Sequence, residues 1–187
     1  LLRNLDANPA QLEGLPIPVA NSDTFPLGDS NGAQLMNGCG YPNVTLTTDI
    51  AAENAYLPHI AEGIDLYARN EFLCLSQGMS DVVAQQTAII HAIGLTAADS
   101  ATIHPDKARI VWSPRSNIVL YGNTAQVTVL DTLGVPLALG TDWVASGSMN
   151  ILRELRCADE LNSTYYAHYF TDEQLWLMVT KNAAEAT

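Results

Sequence analysis

The chain has 187 residues, of which 48% are hydrophobic, enough apolar material for one ordinary domain with a buried core. Twenty acidic residues against eight basic ones give a net charge of −12, which argues against a surface that binds nucleic acid or an anionic membrane. No apolar run approaches the length of a transmembrane helix. We therefore expect a globular protein with neither nucleic acid nor membrane among its partners.

Residues 1–54 form an irregular segment that proline and glycine interrupt repeatedly. Two short strands are predicted within it, at residues 19–25 and 44–47. The three cysteines lack metal-type spacing. Cys39 lies in a loop of this segment, and its state is left open, with pairing to another group as one alternative. Cys74 and Cys157 fall in apolar helical patterns and are predicted to be small core residues, so the redox compartment stays open.

From residue 55 onward, strand-like and helix-like patterns alternate, which is typical of parallel βα units in an α/β protein. Both an open doubly wound sheet and part of a (β/α)8 barrel fit this alternation. No Gly-x-Gly-x-x-Gly follows any strand, which disfavours the dinucleotide-binding form of the open sheet. The predicted strands are 55–60, 87–93, 109–112 and 136–140, and the predicted helices are 64–77, a short one from 96, 124–133, 149–165 and one after 171.

Ionisable side chains fall at or near the ends of three of these strands. His59 and Glu62 lie at the end of the first, His91 lies in the second, and Asp142 follows the fourth. In a parallel sheet curled into a barrel, the carboxyl ends of the strands share one rim, so these groups are expected to converge.

Each of the four residues also has an ordinary structural interpretation. Asp142 fits a cap for the helix that starts near residue 148, His59 and His91 fit buried packing residues, and Glu62 fits a first-turn helix acid. The four together favour a site. Imidazole and carboxylate groups suit a zinc-like ion that keeps a position open for water, with a glutamate to move protons and a second histidine to stabilise negative charge.

Four motifs resemble the later barrel strands of the amidohydrolase superfamily, and within it the group related to cytosine deaminase. They are His59-Ile60-Ala61-Glu62-Gly63, His91-Ala92-Ile93-Gly94-Leu95, Ser113-Pro114-Arg115-Ser116-Asn117 and Leu139-Gly140-Thr141-Asp142-Trp143.

The resemblance covers residues 55–187 and implies a role for each matching position. His59 and Asp142 would bind the metal, Glu62 would shuttle protons, and His91 would contact the reacting water or the substrate. Glu62, His91 and Asp142 are thus the expected catalytic residues. The resemblance also implies that Trp143, Ser146 and Ser113 line the substrate pocket.

The departures from the family pattern are equally informative. The family's His-x-His pair is absent, and the two lysines, Lys107 and Lys181, lie outside the strand patterns. The missing strand lysine favours a single divalent metal, with zinc expected and iron or manganese as alternatives. We expect a fragment of a larger catalytic domain: residues 1–54 would hold one or two early barrel strands and substrate-side loops, and residues 55–187 the later βα units.

A fragment of a barrel is expected to associate with the missing barrel segment or to form a homo-oligomer, since its strand edges are unpaired. The expected activity of the parent protein is hydrolysis of a C–N bond in a small nitrogen heterocycle, by deamination or by hydrolysis of a cyclic amide or amidine. The alternative is a non-catalytic half-barrel that binds a partner chain. The missing His pair supports this alternative, and the four retained rim residues argue against it.

Overall fold

The computed structural model describes residues 20–187, so the predictions for residues 1–19 lie outside the described residues. Five short strands form one parallel sheet. They are β1 (Asn21–Asp23), β2 (Tyr56–Ile60), β3 (Ala88–His91), β4 (Arg109–Trp112) and β5 (Leu137–Leu139). All four strands predicted after residue 55 are therefore present, and β1 confirms the strand predicted around residues 19–25.

The strands lie in the sheet in the same order as in the sequence. A doubly wound sheet reverses direction partway along the chain, whereas a barrel adds each strand to the same edge. The consecutive order therefore selects the barrel over the doubly wound sheet, and the fold is α/β with part of a (β/α)8 barrel. The register places Ile60 beside His91 and Trp112 beside Leu139, so the carboxyl ends of the strands stand level.

Helices follow the strands, and several begin at side-chain caps. Asp65, Thr96, Asn150 and Thr171 each accept a hydrogen bond from a backbone N–H in the first turn of a helix. The α-helices are α1 (Thr47–Ile50), α2 (Leu66–Leu75), α3 (Ala97–Ile103), α4 (Pro114–Tyr121), α5 (Val127–Thr132), α6 (Ile151–Thr164), α7 (Asp172–Val179) and α8 (Lys181–Glu185). Within residues 20–187, none of them is long and apolar enough to cross a membrane.

Two sequence predictions about these elements need correction. The strand predicted at residues 44–47 was wrong, because Thr47 begins α1 and its hydroxyl donates to the carbonyl groups of Met79 and Asp81 at 3.1 and 2.7 Å. Helix α4 was not predicted. Its signals are Pro114 at the first helical position and Gly122 in the left-handed conformation at the end.

The two faces of the sheet bury different sets of side chains. Alternate residues such as Ile110 and Trp112 point toward the helices and join a large apolar core. The opposite face carries smaller apolar residues and packs against the C-terminal helix α8. This second set comprises Ala20, Ala55, Leu57, Ala88, Ala138 and Ala186, with Ile90, Val111 and Ala183 beside them.

A disulfide joins Cys39 in the long connection before α1 to Cys74 in α2. The state of Cys39, which the sequence left open, is thus a disulfide. Cys74 is fully buried in the core as predicted, and its bond to Cys39 was not predicted. Partners 35 residues apart cannot be paired from spacing alone. Cys157 is a free, half-buried thiol on α6.

Candidate active site

His59, Glu62 and His91 converge at the carboxyl ends of β2 and β3. The rings of His59 and His91 lie 5.1 Å apart. One ligand atom from each of the three side chains lies within 4.8 Å of the others. The sheet register causes this convergence, because it pairs His59 with Ile90 and Ile60 with His91. Adjacent parallel strands thus bring together two histidines that are 32 positions apart in the sequence.

The ring of His59 is oriented by the end of the neighbouring strand β1. Its Nδ1 lies 3.2 Å from the carbonyl oxygen of Asp23. A carbonyl only accepts, so Nδ1 carries the proton and Nε2 keeps a free lone pair. Burial, followed by the nearby His91, lowers the pKa of His59 below its usual value. The imidazole is therefore neutral at neutral pH, which is the form that binds a metal.

The ring of His91 is oriented by helix α4. Its Nδ1 lies 3.0 Å from Oδ1 of Asn117, and both residues are buried. The amide of Asn117 is itself fixed, because its Nδ2 donates to Thr124 Oγ1 at 3.2 Å. The indole of Trp112 donates to the same Thr124 hydroxyl at 2.7 Å. This chain of contacts makes Nδ1 the donor of His91 and leaves Nε2 for the site.

Glu62 lies between His91 and Tyr121. The hydroxyl of Tyr121 donates to Glu62 Oε1 at 2.9 Å, and Glu62 Oε2 lies 3.5 Å from His91 Nε2. Burial, followed by the charge of Glu62, raises the pKa of Tyr121, so the phenol stays a donor at neutral pH. Glu62 precedes the cap of α2 at Asp65 and is not a first-turn acid of that helix.

The turn that carries Glu62 is held by a second carboxylate on α2. Glu71 Oε2 accepts a hydrogen bond from the backbone N–H of Ala61 at 2.9 Å. The pKa of Glu71 is raised to about 7, chiefly by burial and to a smaller extent by the charges of Asp29 and Glu62, while backbone N–H donors oppose the rise. Glu71 thus supports the backbone next to Glu62 from behind.

The backbone itself is strained where the strands end. Four of the seven non-glycine residues with positive φ in the described structure follow or end β2, β3 and β5. They are Ala61 (φ 57°), His91 (φ 77°), Ala92 (φ 54°) and Asp142 (φ 53°). Such conformations are costly for residues with a Cβ, and they concentrate at functional sites. Their position at this rim agrees with a site there.

Asp142 stands at the same rim but turns toward the chain after β4. Its Oδ2 accepts a short hydrogen bond from the hydroxyl of Ser116. The Ser116 and Ser146 hydroxyls are 2.7 Å apart, so Ser146 is buried behind Asp142. Asp142 does not cap α6, because Asn150 does so. The carboxylate of Asp142 is not part of the cluster of His59, Glu62 and His91, although Asp142 and His59 border the same cavity.

That cavity has a volume of about 550 Å³, which suits a small ligand. His59, Asp142, Trp143 and Ser113 line it, and Trp143 is 65% exposed at its mouth. The hydroxyl of Ser113 is buried without a hydrogen-bond partner among the described residues, and so is that of Ser22, which also lines the cavity. Unpaired buried hydroxyls cost free energy unless a ligand or water satisfies them.

The donor set fits a divalent metal of the zinc type. His59 and His91 each have Nδ1 engaged with an oxygen acceptor, which is the arrangement that fixes the tautomer of a metal-binding histidine. Carboxylates stand beside them at Glu62 and Asp142, and zinc accepts both ligand types.

Four residues near the site were missed by the sequence analysis as functional groups. Asn117, Tyr121 and Glu71 make hydrogen bonds between distant parts of the chain, and Ser22 lines the cavity. A local signal exists only for Asn117 and Tyr121. They are four residues apart after the Ser-Pro start of a helix, a spacing that places both on one face of that helix.

No family model matches the sequence. The sequence is 35% identical over 81 residues to an aminodeoxyfutalosine deaminase from Deinococcus radiodurans, a match that covers 43% of this chain and 19% of that protein. The structure is similar to an atrazine chlorohydrolase from Arthrobacter aurescens solved with zinc, with a TM-score of 0.67 and 15% identity over 97% of this chain and 51% of that one. It is also similar to a zinc-bound adenosine deaminase from Xanthomonas campestris, with a TM-score of 0.59 and 22% identity over 71% of this chain and 32% of that one.

The chain spans less than a third of the length of the curated relatives that it matches. The shared fold nevertheless agrees with the order of strands and with the rim position of the site. These comparisons agree with the resemblance that the four motifs indicate: the chain is similar in sequence to a deaminase, and it shares part of the barrel fold of the two solved proteins.

Proposed function

We propose that this chain supplies the active-site rim of a hydrolase that uses one divalent metal, preferably zinc, to cleave a C–N bond at an sp² carbon of a small nitrogen heterocycle. Deamination and ring opening of a cyclic amide or amidine are the two forms of this reaction. The observation that carries the proposal is the convergence of His59, Glu62 and His91, with both imidazoles oriented through Nδ1.

His59 and Asp142 would hold the ion, because both border the cavity in which a substrate fits. A bound divalent ion would supply Lewis acidity toward water and toward a heteroatom bonded to the electrophilic carbon. Asp142 would have to exchange its contact with the Ser116 hydroxyl for the ion, or keep both. A carboxylate has enough lone pairs for either arrangement.

Glu62 would take a proton from the attacking water and deliver it to the departing nitrogen. Its Oε2 lies 3.5 Å from His91 Nε2, so both groups face the same reacting atoms. With a proton of its own on Nε2, separate from the one that Glu62 transfers, His91 would donate a hydrogen bond to the atom that gains negative charge in the transition state. The unpaired hydroxyls of Ser22 and Ser113 would bind polar atoms of the heterocycle, and Trp143 and Ser146 would close the same side of the pocket.

The test is a screen of aminated and cyclic-amide heterocycles for released ammonia or opened ring, with the intact protein that contains this chain. We expect turnover that a chelator abolishes, that added zinc restores, and that Glu62→Gln reduces by at least about 100-fold, the lower range of a general-base contribution. Exposed Glu173 on α7 provides the matched control, Glu173→Gln, which should keep full activity.

Turnover that survives both the chelator and Glu62→Gln would refute the metal and proton-transfer roles. If no heterocycle reacts and zinc does not bind, the non-catalytic half-barrel that binds a partner chain becomes the better explanation.

A further inference from the structure

We propose that Tyr121 is a positioning residue of this active site: its hydroxyl holds the Glu62 carboxylate in the rotamer that directs Oε2 toward His91. The inference rests on the proposed function, because it assigns to Tyr121 a role in the proton transfer carried out by Glu62.

The contact joins two parts of the chain that are 59 residues apart. Tyr121 is the last residue of α4, which follows β4, whereas Glu62 lies in the turn after β2. The tyrosine therefore reaches across the end of β3, where His91 stands. Its hydroxyl lies 2.9 Å from Oε1, and the other oxygen, Oε2, lies 3.5 Å from His91 Nε2. The hydrogen bond from Tyr121 fixes Oε1 of this carboxylate and leaves Oε2 directed toward His91.

Glu62 needs such a support because the turn leaves its side chain 28% exposed. A glutamate side chain has three rotatable bonds, and ordering it costs conformational entropy. Among the described residues, Tyr121 is the side chain that donates a hydrogen bond to the Glu62 carboxylate. A hydrogen bond to a charged acceptor is stronger than a neutral one and fixes direction as well as distance.

Helix α4 is suited to this task because it already orients His91. Asn117 and Tyr121 are four residues apart and share one face of the helix. Asn117 contacts Nδ1 of His91, while Tyr121 contacts Glu62 on the far side of the same ring. Gly122 adopts the left-handed conformation at φ 65° and ends the helix directly after Tyr121. One short helix thus sets the relative position of both groups.

The first test compares Tyr121→Phe with Tyr165→Phe in the intact, zinc-loaded protein. Tyr165 is 78% exposed after α6 and serves as the matched control, since both changes remove one phenolic hydroxyl. We expect Tyr121→Phe to lower kcat on the order of 10-fold, with KM and zinc content unchanged, because a misplaced proton-transfer group slows chemistry without weakening binding. Equal kcat values for the two variants would overturn the proposal.

The second test is independent of catalysis and uses a double-mutant cycle in thermal unfolding. We expect Tyr121→Phe to lower Tm by about 2–4 °C when Glu62 is present, and by almost nothing in the Glu62→Ala background. An equal shift in both backgrounds would show that Tyr121 does not hold Glu62. If the wild-type protein has no activity, the proposed function fails and with it the catalytic role of Tyr121, while the cycle still decides whether the two side chains are coupled.

Discussion

Glu71 allows the electrostatics of the site to be tested through stability alone. Its carboxylate accepts the N–H of Ala61 behind the turn that carries Glu62, and burial raises its pKa from 4.5 to about 7. The perturbation is Glu71→Gln in metal-free protein. Glutamine keeps an oxygen that can accept the Ala61 N–H, but it has no charge to lose or gain.

The sign follows from proton linkage. Between pH 4.5 and about 7 the folded state holds a proton on Glu71 that the unfolded state has released, so this group lowers stability as pH rises. One pKa unit corresponds to about 1.4 kcal/mol, and the full rise therefore to roughly 3 kcal/mol. Allowing for solvent screening and for the pH range used, we expect wild type to lose about 2 kcal/mol relative to Glu71→Gln between pH 5 and pH 8.

The assay is urea unfolding of both proteins at pH 5, 6, 7 and 8. The range stops at pH 5 because the sequence pI is about 4.4 and solubility falls near it. Exposed Glu173→Gln controls for the general effect of removing one charge and should give a difference that is nearly constant with pH. If the difference in the free energy of unfolding between wild type and Glu71→Gln is also constant with pH, the raised pKa of Glu71 and the burial that causes it are refuted.

Two further predictions concern the framework of the site. Cys39→Ser, which breaks the bond to Cys74, should lower the free energy of unfolding by about 4 kcal/mol, as expected for a closed loop of this length, and urea unfolding will measure it. An unchanged midpoint would show that the disulfide does not form. Gly147→Ala should destabilise the protein by about 1–3 kcal/mol and weaken zinc binding, because a Cβ there would overlap the carbonyl oxygen of Thr141 beside Asp142. A Cβ at Gly40 would meet only Leu35 Cδ1, at 4.0 Å, so Gly40→Ala should be neutral in both measurements, and equal behaviour of the two variants would contradict the packing argument.

The fold and the position of the site at the rim could be predicted from the sequence, because both depend on local patterns. Short apolar runs that end in polar residues predicted β2 to β5, and parallel pairing then placed His59 and His91 side by side. The strand ends share one edge in any parallel sheet, so convergence of these residues required no knowledge of side-chain contacts.

The contacts that orient these groups were not predictable in the same way. Tyr121 meets Glu62, and Asn117 meets His91, over separations of 59 and 26 residues. No local pattern fixes such pairs, since they depend on how α4 packs over the sheet. The pairing of Cys39 with Cys74 was hidden for the same reason.

Asp142 illustrates the difference between position and orientation. Its place directly after β5 was expected, but its contact with the Ser116 hydroxyl depends on a left-handed backbone at Asp142 that a sequence pattern does not specify. The role of Asp142 as a metal ligand is therefore still a prediction. The strained backbone of Asp142 is a reason to test that prediction.

The most direct test of the central claim is the zinc stoichiometry and affinity of the intact protein. Wild type is expected to bind one zinc ion, and His59→Ala should bind zinc at least about 10- to 100-fold more weakly. Removing a group that only orients a ligand already causes a loss of this size, so removing the ligand itself should cost at least as much. Exposed His104, whose Nδ1 lies 3.0 Å from the Gly134 carbonyl, provides the control His104→Ala, which should bind zinc like wild type. Equal zinc affinity in wild type and His59→Ala would contradict the account.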